Sequence, residues 1–242
     1  MIGVAVSGHN CREWSHACAD SILSQKVDGY VRTVVVDDAS DDGTAEDLAN
    51  VPDPGFSVIR MASRSYTTIC HRAAIEALRP NPEDIIVVMD LDDELLPGAL
   101  ERILRAHKDG AWVTYGNWKD QHGDVNPHVS WNGDRLATIR DVPWFLTHAM
   151  SLRAGLYFAI PESYWTWNAT GEPYEMDFDG PLMYAAVDLA GGDRVVGIAE
   201  PIYMYRRSYE NSVIRKWPFD LRKKEVEEQK AKPRLAQMER LD

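Results

Sequence analysis

Short apolar runs alternate with amphipathic stretches through the first half of the chain. The run Ile2-Gly3-Val4-Ala5-Val6 is followed at helical spacing by Trp14, Ala17, Ile22 and Leu23, which predicts a strand and then a helix over 12–25. The same unit recurs: strands are predicted over 31–36, 56–60, 84–89 and 111–115, and helices over 44–49, 67–78 and 97–108. Pro80 stops one helix, and Pro97 suits the first turn of the next. Val34-Val35-Val36 and Ile85-Ile86-Val87-Val88 do not alternate with polar residues. Unbroken apolar runs of this length suit parallel strands covered on both faces. The expected fold class is therefore α/β, with a mostly parallel central sheet flanked by helices and ligands at the carboxyl ends of its strands.

The second half has a different texture. Six of the eight tryptophans, Trp112, Trp118, Trp131, Trp144, Trp165 and Trp167, fall within 112–167. Most are expected in the core, with one or two offering flat faces to a ligand. The stretch 118–135 is rich in Gly, Asn, Asp and His and reads as a long loop. Helices are predicted over 151–160, ended by Pro161, and over 181–190, ended by Gly191-Gly192. Two short strands follow, near Val195 and Tyr203, and then a mixed-charge helical tail interrupted by Pro233.

Composition narrows the functional classes. The chain has 242 residues, 26 Lys and Arg against 38 Asp and Glu, and a formal net charge of −12. That balance disfavours a nucleic-acid coat, which needs a basic surface, and makes a nucleic-acid acceptor unexpected. No apolar run approaches the roughly 20 residues of a spanning helix. The first residues lack the basic and long apolar regions of a signal peptide. Cys11, Cys18 and Cys70 form no CxxC pair, so neither a zinc ribbon nor a disulfide scaffold is expected. The expectation is a soluble protein of a reducing, cytoplasmic compartment.

Two acidic clusters stand where this fold binds ligands. In Val36-Asp37-Asp38-Ala39-Ser40, two carboxylates follow a buried strand and suit a nucleobase N–H or a ribose hydroxyl. The nearby Asp41, Asp42 and Thr44 fit a turn and helix cap. In Met89-Asp90-Leu91-Asp92-Asp93-Glu94, four acids crowd a second strand end. Like charges this close favour a cation, and hard oxygen ligands suit Mg²⁺ or Mn²⁺ bridging substrate phosphates. Asp93 and Glu94 also suit a helix-entry turn. There is no G-x-G-x-x-G after the first strand and no G-x-x-x-x-G-K-[ST] anywhere, so no glycine-rich cradle holds the phosphates.

These residues resemble glycosyltransferase family 2, whose GT-A fold is Rossmann-like. The family pattern is a strand ending in V-D-D-x-S and a later one ending in D-x-D-D. Val36 to Ser40 and Asp90 to Asp93 stand in that order, and Leu95-Leu96-Pro97-Gly98 looks like the family's next stretch. The resemblance implies a single domain over 1–215, with a nucleotide-sugar half over 1–110 and an acceptor half over 111–215. Residues 216–242 would form a helical tail.

The resemblance also implies an acidic base at the start of a late helix before Ala-Gly. Counting back from Ala190-Gly191 favours Asp179, with Asp177 second, although the family's Glu-Asp pair is not intact. Tyr203-Met204-Tyr205-Arg206-Arg207 looks like the family's terminal Y-x-Y-R segment, where Arg206 or Arg207 suits a diphosphate. Asp37, Asp38, Asp90 and Arg72 are the further expected nucleotide-sugar contacts. The expected metal ligands are Asp92, Asp90 and His148, although a structural histidine also fits His148.

The implied activity is metal-dependent, inverting transfer of a sugar from a nucleoside diphosphate sugar, expected to be a UDP-sugar, to an acceptor hydroxyl. The alternatives are a nucleotidyltransferase and a non-catalytic module that binds sugar nucleotides. The acceptor itself is not legible in the sequence.

Overall fold

The computed structural model describes residues 1–126, 139–142, 144–206 and 218–241. Among the described residues, eight strands form one sheet in the order β3-β2-β1-β4-β7-β6-β8-β5. The first four are β1 (Ile2–Gly8), β2 (Val31–Asp37), β3 (Phe56–Arg60) and β4 (Ile85–Asp90). They pair in parallel, with β1 between β2 and β4. The short β5 (Glu94–Leu95) follows, then β6 (Val113–Asp120), β7 (Thr147–Arg153) and β8 (Val195–Tyr205). β7 runs antiparallel to both β4 and β6, β6 and β8 are parallel, and β5 closes the edge antiparallel to β8.

Helices cover both faces, as the unbroken apolar strands require. α1 (Arg12–Leu23), α2 (Thr44–Leu48) and α4 (Ala99–Lys108) pack Cys18, Ile22, Leu48, Leu100 and Ile103 onto Val4, Val6, Val35 and Val87. The other face meets α3 (Tyr66–Leu78), α5 (Ala154–Phe158) and α6 (Asp179–Ala190) through Ala5, Val34, Val36, Ile86 and Val88. Alternate residues of one run thus serve opposite cores, which is why the runs show no polar interruption. A last helix, α7 (Phe219–Ala231), packs against α6. No described helix is long and apolar enough to cross a membrane. Cys11, Cys18 and Cys70 are buried free thiols.

The departures from the expected elements lie in the second half. The predicted helix over 151–160 is shorter than expected: β7 takes Ser151 to Arg153, and Ala154–Phe158 is helical. Ala149, Met150, Ser151 and Leu152 are buried between β4 and β6, and strand pairing there overrides local helix preference. Trp118 belongs to β6 rather than to a loop, and the two short strands after α6 are one. β8 stays continuous past Pro201 because its register with β6 shifts there, where a missing N–H is tolerated. Trp131 and the rest of 127–138 lie outside the described residues.

Register sets up the site. Gly8 pairs with Asp37 and Ser7 with Asp90, so the ends of β2, β1 and β4 form one ledge. The chain closes over it tightly: a Cβ on Gly8 would lie 2.5 Å from Leu91 Cβ. This ledge sits where the strand order reverses, the place open α/β sheets leave a crevice.

Candidate active site

A cleft of about 500 Å³ opens above the ledge. Asp38, Asp90, Asp92, Asp177, Asp179 and His148 all line it, so residues far apart in sequence converge there.

The two carboxylates at the end of β2 have separate fates. Asp37 is fully buried, its Oδ2 accepts the Ser40 N–H at 3.2 Å, and Arg60 Nε lies 3.7 Å from that oxygen. It lies outside the cleft lining, which narrows the expected nucleotide contact to Asp38. Alternation puts successive side chains on opposite sides, so one of such a pair turns inward. Asp38 accepts the N–H groups of Ser65 at 2.7 Å and Tyr66 at 2.9 Å and pairs with the Arg64 guanidinium. Arg64 also sits 4.9 Å above the Tyr66 ring. The Asp38 carboxylate therefore holds the turn into α3 while facing the cleft.

At the end of β4, ligand oxygens of Asp90, Asp92 and Asp93 lie within 4.8 Å of one another. Asp93, which reads from sequence as a helix-entry residue, completes this triad. Its Oδ1 accepts the Arg206 N–H at 2.7 Å, and its buried Oδ2 has no hydrogen-bond partner. Burial, followed by the charges of Asp92 and Asp90, pushes its pKa well above the usual carboxylate range. Three convergent oxygen donors, one of them an orphaned buried oxygen, fit a hard divalent cation.

His71 buttresses the triad, with Nε2 3.8 Å from Asp90 Oδ1 and its ring stacked 4.8 Å from Phe178. Ser7 Oγ lies 3.1 Å from His71 Nδ1. Sequence reasoning chose the next residue, Arg72, for the cleft. Arg72 instead makes a two-pronged pair with Glu162, at 2.7 and 2.8 Å, and lies 5.4 Å over the Trp165 ring. The helical step explains the error: Thr67, Cys70 and His71 occupy the cleft side of α3, and Arg72 is rotated about 100° away from His71.

Arg206 lines the cleft, but its guanidinium pairs with Glu94. Arg207 lies outside the described residues. His148 is not part of the acidic triad. Its Nε2 lies 3.5 Å from Asp179 Oδ2, and its ring stacks on Tyr203 at 5.3 Å. Two of the tryptophans, Trp118 and Trp144, line the cleft, while Trp165 is core.

The start of α6 carries Asp177 and Asp179 on either side of buried Phe178. Asp177 Oδ1 accepts the Gly180 N–H at 3.0 Å, a capping contact. Burial raises the Asp179 pKa, but the neighbouring His148 outweighs it, and the net shift is downward. Burial and the charge of Asp179 raise Asp177. His148 rises to about 10: burial opposes its charge, and Asp179, Asp90 and Asp93 overcome that opposition. The segment therefore presents one carboxylate held ionised and a second held back toward its protonated form.

A model of glycosyl transferase family 2 matches residues 4–157. No curated protein sequence matches the chain. Among solved structures, TarS of S. aureus, residues 1–349 in complex with UDP-GlcNAc, superposes with a TM-score of 0.66 at 15% identity. That match covers 90% of this chain and 61% of the other. The complex of TarS 1–349 with UDP gives a TM-score of 0.63 at 16% identity, over 86% and 60% of the two chains. The chain thus spans about three fifths of the length of these structures, and they share its fold.

Proposed function

The chain belongs to glycosyl transferase family 2, and from that premise we propose that its cleft moves a sugar from a UDP-sugar to an acceptor hydroxyl, with inversion at the anomeric carbon. The observation that carries this reading is the convergence of Asp38, Asp90, Asp92 and Asp179 on one cleft, with buried Asp93 completing the acidic triad beside it. The UDP and UDP-GlcNAc held by the TarS structures support a uridine nucleotide as donor. One catalytic domain spans 1–215, with α7 docked against it.

In the transfer step, Asp179 takes the proton of the acceptor hydroxyl. The oxygen forms a bond to the anomeric carbon from one face, while the bond to the β-phosphate oxygen breaks on the other. UDP leaves with the bonding electrons. His148 keeps Asp179 ionised between turnovers. Asp90, Asp92 and Asp93 would hold a divalent cation, Mg²⁺ or Mn²⁺, whose charge would neutralise the departing diphosphate. Asp38 and Arg64 form the nucleoside end of the cleft, and Arg206 fixes Glu94 and Asp93 at the phosphate end.

The test is incubation with a panel of UDP-sugars and Mn²⁺, scored for UDP. UDP release supports the reading. Pyrophosphate release from UTP and a sugar 1-phosphate, supplied in place of the UDP-sugars, would instead make the chain a nucleotidyltransferase, and binding without turnover would make it a module.

A further inference from the structure

The helix α7 is polar almost all round, yet two of its residues, Glu225 and Gln229, are each only 1% exposed. A helix normally docks by an apolar stripe. Here the inward stripe at i, i+3, i+4 and i+7 is Arg222, Glu225, Val226 and Gln229, and Arg222 and Val226 line the cleft. Burying a carboxylate is costly unless hydrogen bonds replace its water. Glu225 Oε1 accepts the backbone N–H of Met176 at 3.2 Å and of Asp177 at 2.9 Å.

Those two N–H groups belong to a connection that lies outside both sheet and helix, three and two residues before Asp179. The connection is held elsewhere as well. Thr67 donates its N–H and hydroxyl to the Glu175 carbonyl, at 3.3 and 3.0 Å. Glu228 accepts from the Asn168 N–H at 2.6 Å and the Tyr174 hydroxyl at 3.2 Å. α7 also crowds Gly180, where an added Cβ would lie 2.3 Å from Gln229 Oε1. Residues 175–177 are thus clamped between α3 and α7, and the Glu225 carboxylate is the clamp on the α7 side.

We propose that Glu225 is a positioning residue for transfer: through the backbone of Met176 and Asp177 it fixes the segment that delivers Asp179 into the cleft. This rests on Asp179 being the base. A misplacement of about 1 Å at a reacting group can cost about 10²-fold in rate, so loss of the clamp acts on turnover while leaving the donor ledge intact.

The test uses the full chain, UDP binding by calorimetry and UDP release from the panel of UDP-sugars. Glu225→Ala is expected to lower kcat about 10- to 100-fold with UDP affinity unchanged. Glu225→Gln keeps an oxygen acceptor and is expected to restore most of the rate. In the Asp179→Asn background, Glu225→Ala is expected to cost nothing further, because the two act through one group. Equal losses in both backgrounds, or UDP affinity falling in step with kcat, would overturn the proposal. If Glu225→Ala does not fold, Glu225→Asp, which withdraws the carboxylate by one methylene, carries the same comparison. Wild-type rates in Asp179→Asn itself would remove the base assignment beneath it, a separate and distinguishable failure.

Discussion

His148 Nε2 stands 3.5 Å from Asp179 Oδ2, and the pair joins β7 to the start of α6 across the cleft. Each member shifts the other. The imidazole holds the carboxylate ionised, and the carboxylate, with Asp90 and Asp93, raises the imidazole to about 10. His148→Asn removes the cation, so the Asp179 pKa rises and the acid limb of the pH–rate profile moves to higher pH. Wild-type His148 is raised in the folded state. Its stabilising contribution is therefore complete below the unfolded value of about 6.5, shrinks as pH rises, and is lost above about 10. Urea midpoints of wild type and His148→Asn should converge toward alkaline pH. An unmoved acid limb would detach His148 from the base.

Nucleotide binding should depend on a divalent cation. The triad brings three carboxylates together, and among the described residues no glycine-rich loop follows β1. Calorimetry with UDP should show weaker binding in EDTA than in Mn²⁺. Asp92→Asn is expected to weaken the metal-dependent part most. Equal affinity with and without metal would remove the cation from the account.

Asp38→Ala should affect both folding and binding. It strips an acceptor from two backbone N–H groups and leaves Arg64 without that partner. The expected loss is about 2 kcal/mol of stability, together with weaker UDP binding, because the turn into α3 borders the cleft. Arg72→Ala is the contrast. Its pair with the exposed Glu162 is worth about 1 kcal/mol or less, and UDP affinity should not change. Thermal unfolding and calorimetry on both variants check this. Loss of UDP binding in Arg72→Ala would restore the residue to the nucleotide site.

The first half of the fold was legible because its strands are unbroken apolar runs and its helices repeat with regular spacing. The ends of β2 and β4 announced themselves by carboxylates placed directly after such runs. What sequence could not supply was rotation and partnership. Asp37 and Asp38 look alike in the chain and both are buried, and only strand alternation separates the inward-turned one from the cleft-facing one. Arg72 is the expected contact on α3, whereas the 100° helical step gives the cleft to His71. The end of β7, Ser151 to Arg153, reads as the start of α5 because its pairing partners lie about 35 and 65 residues upstream, beyond any local period. Glu225 carried no signal at all: on a mixed-charge helix it resembles its solvated neighbours, and its burial appears only once α7 is docked.

The most direct test is transfer and UDP affinity measured together on Asp179→Asn and Asp177→Asn. Removal of a general base acts on the chemical step and not on donor capture. Asp179→Asn should therefore keep wild-type UDP affinity while UDP release falls by about 10²–10⁴, and Asp177→Asn should fall less. The reverse ranking would move the base to Asp177, and full activity in both variants would contradict the account of this cleft.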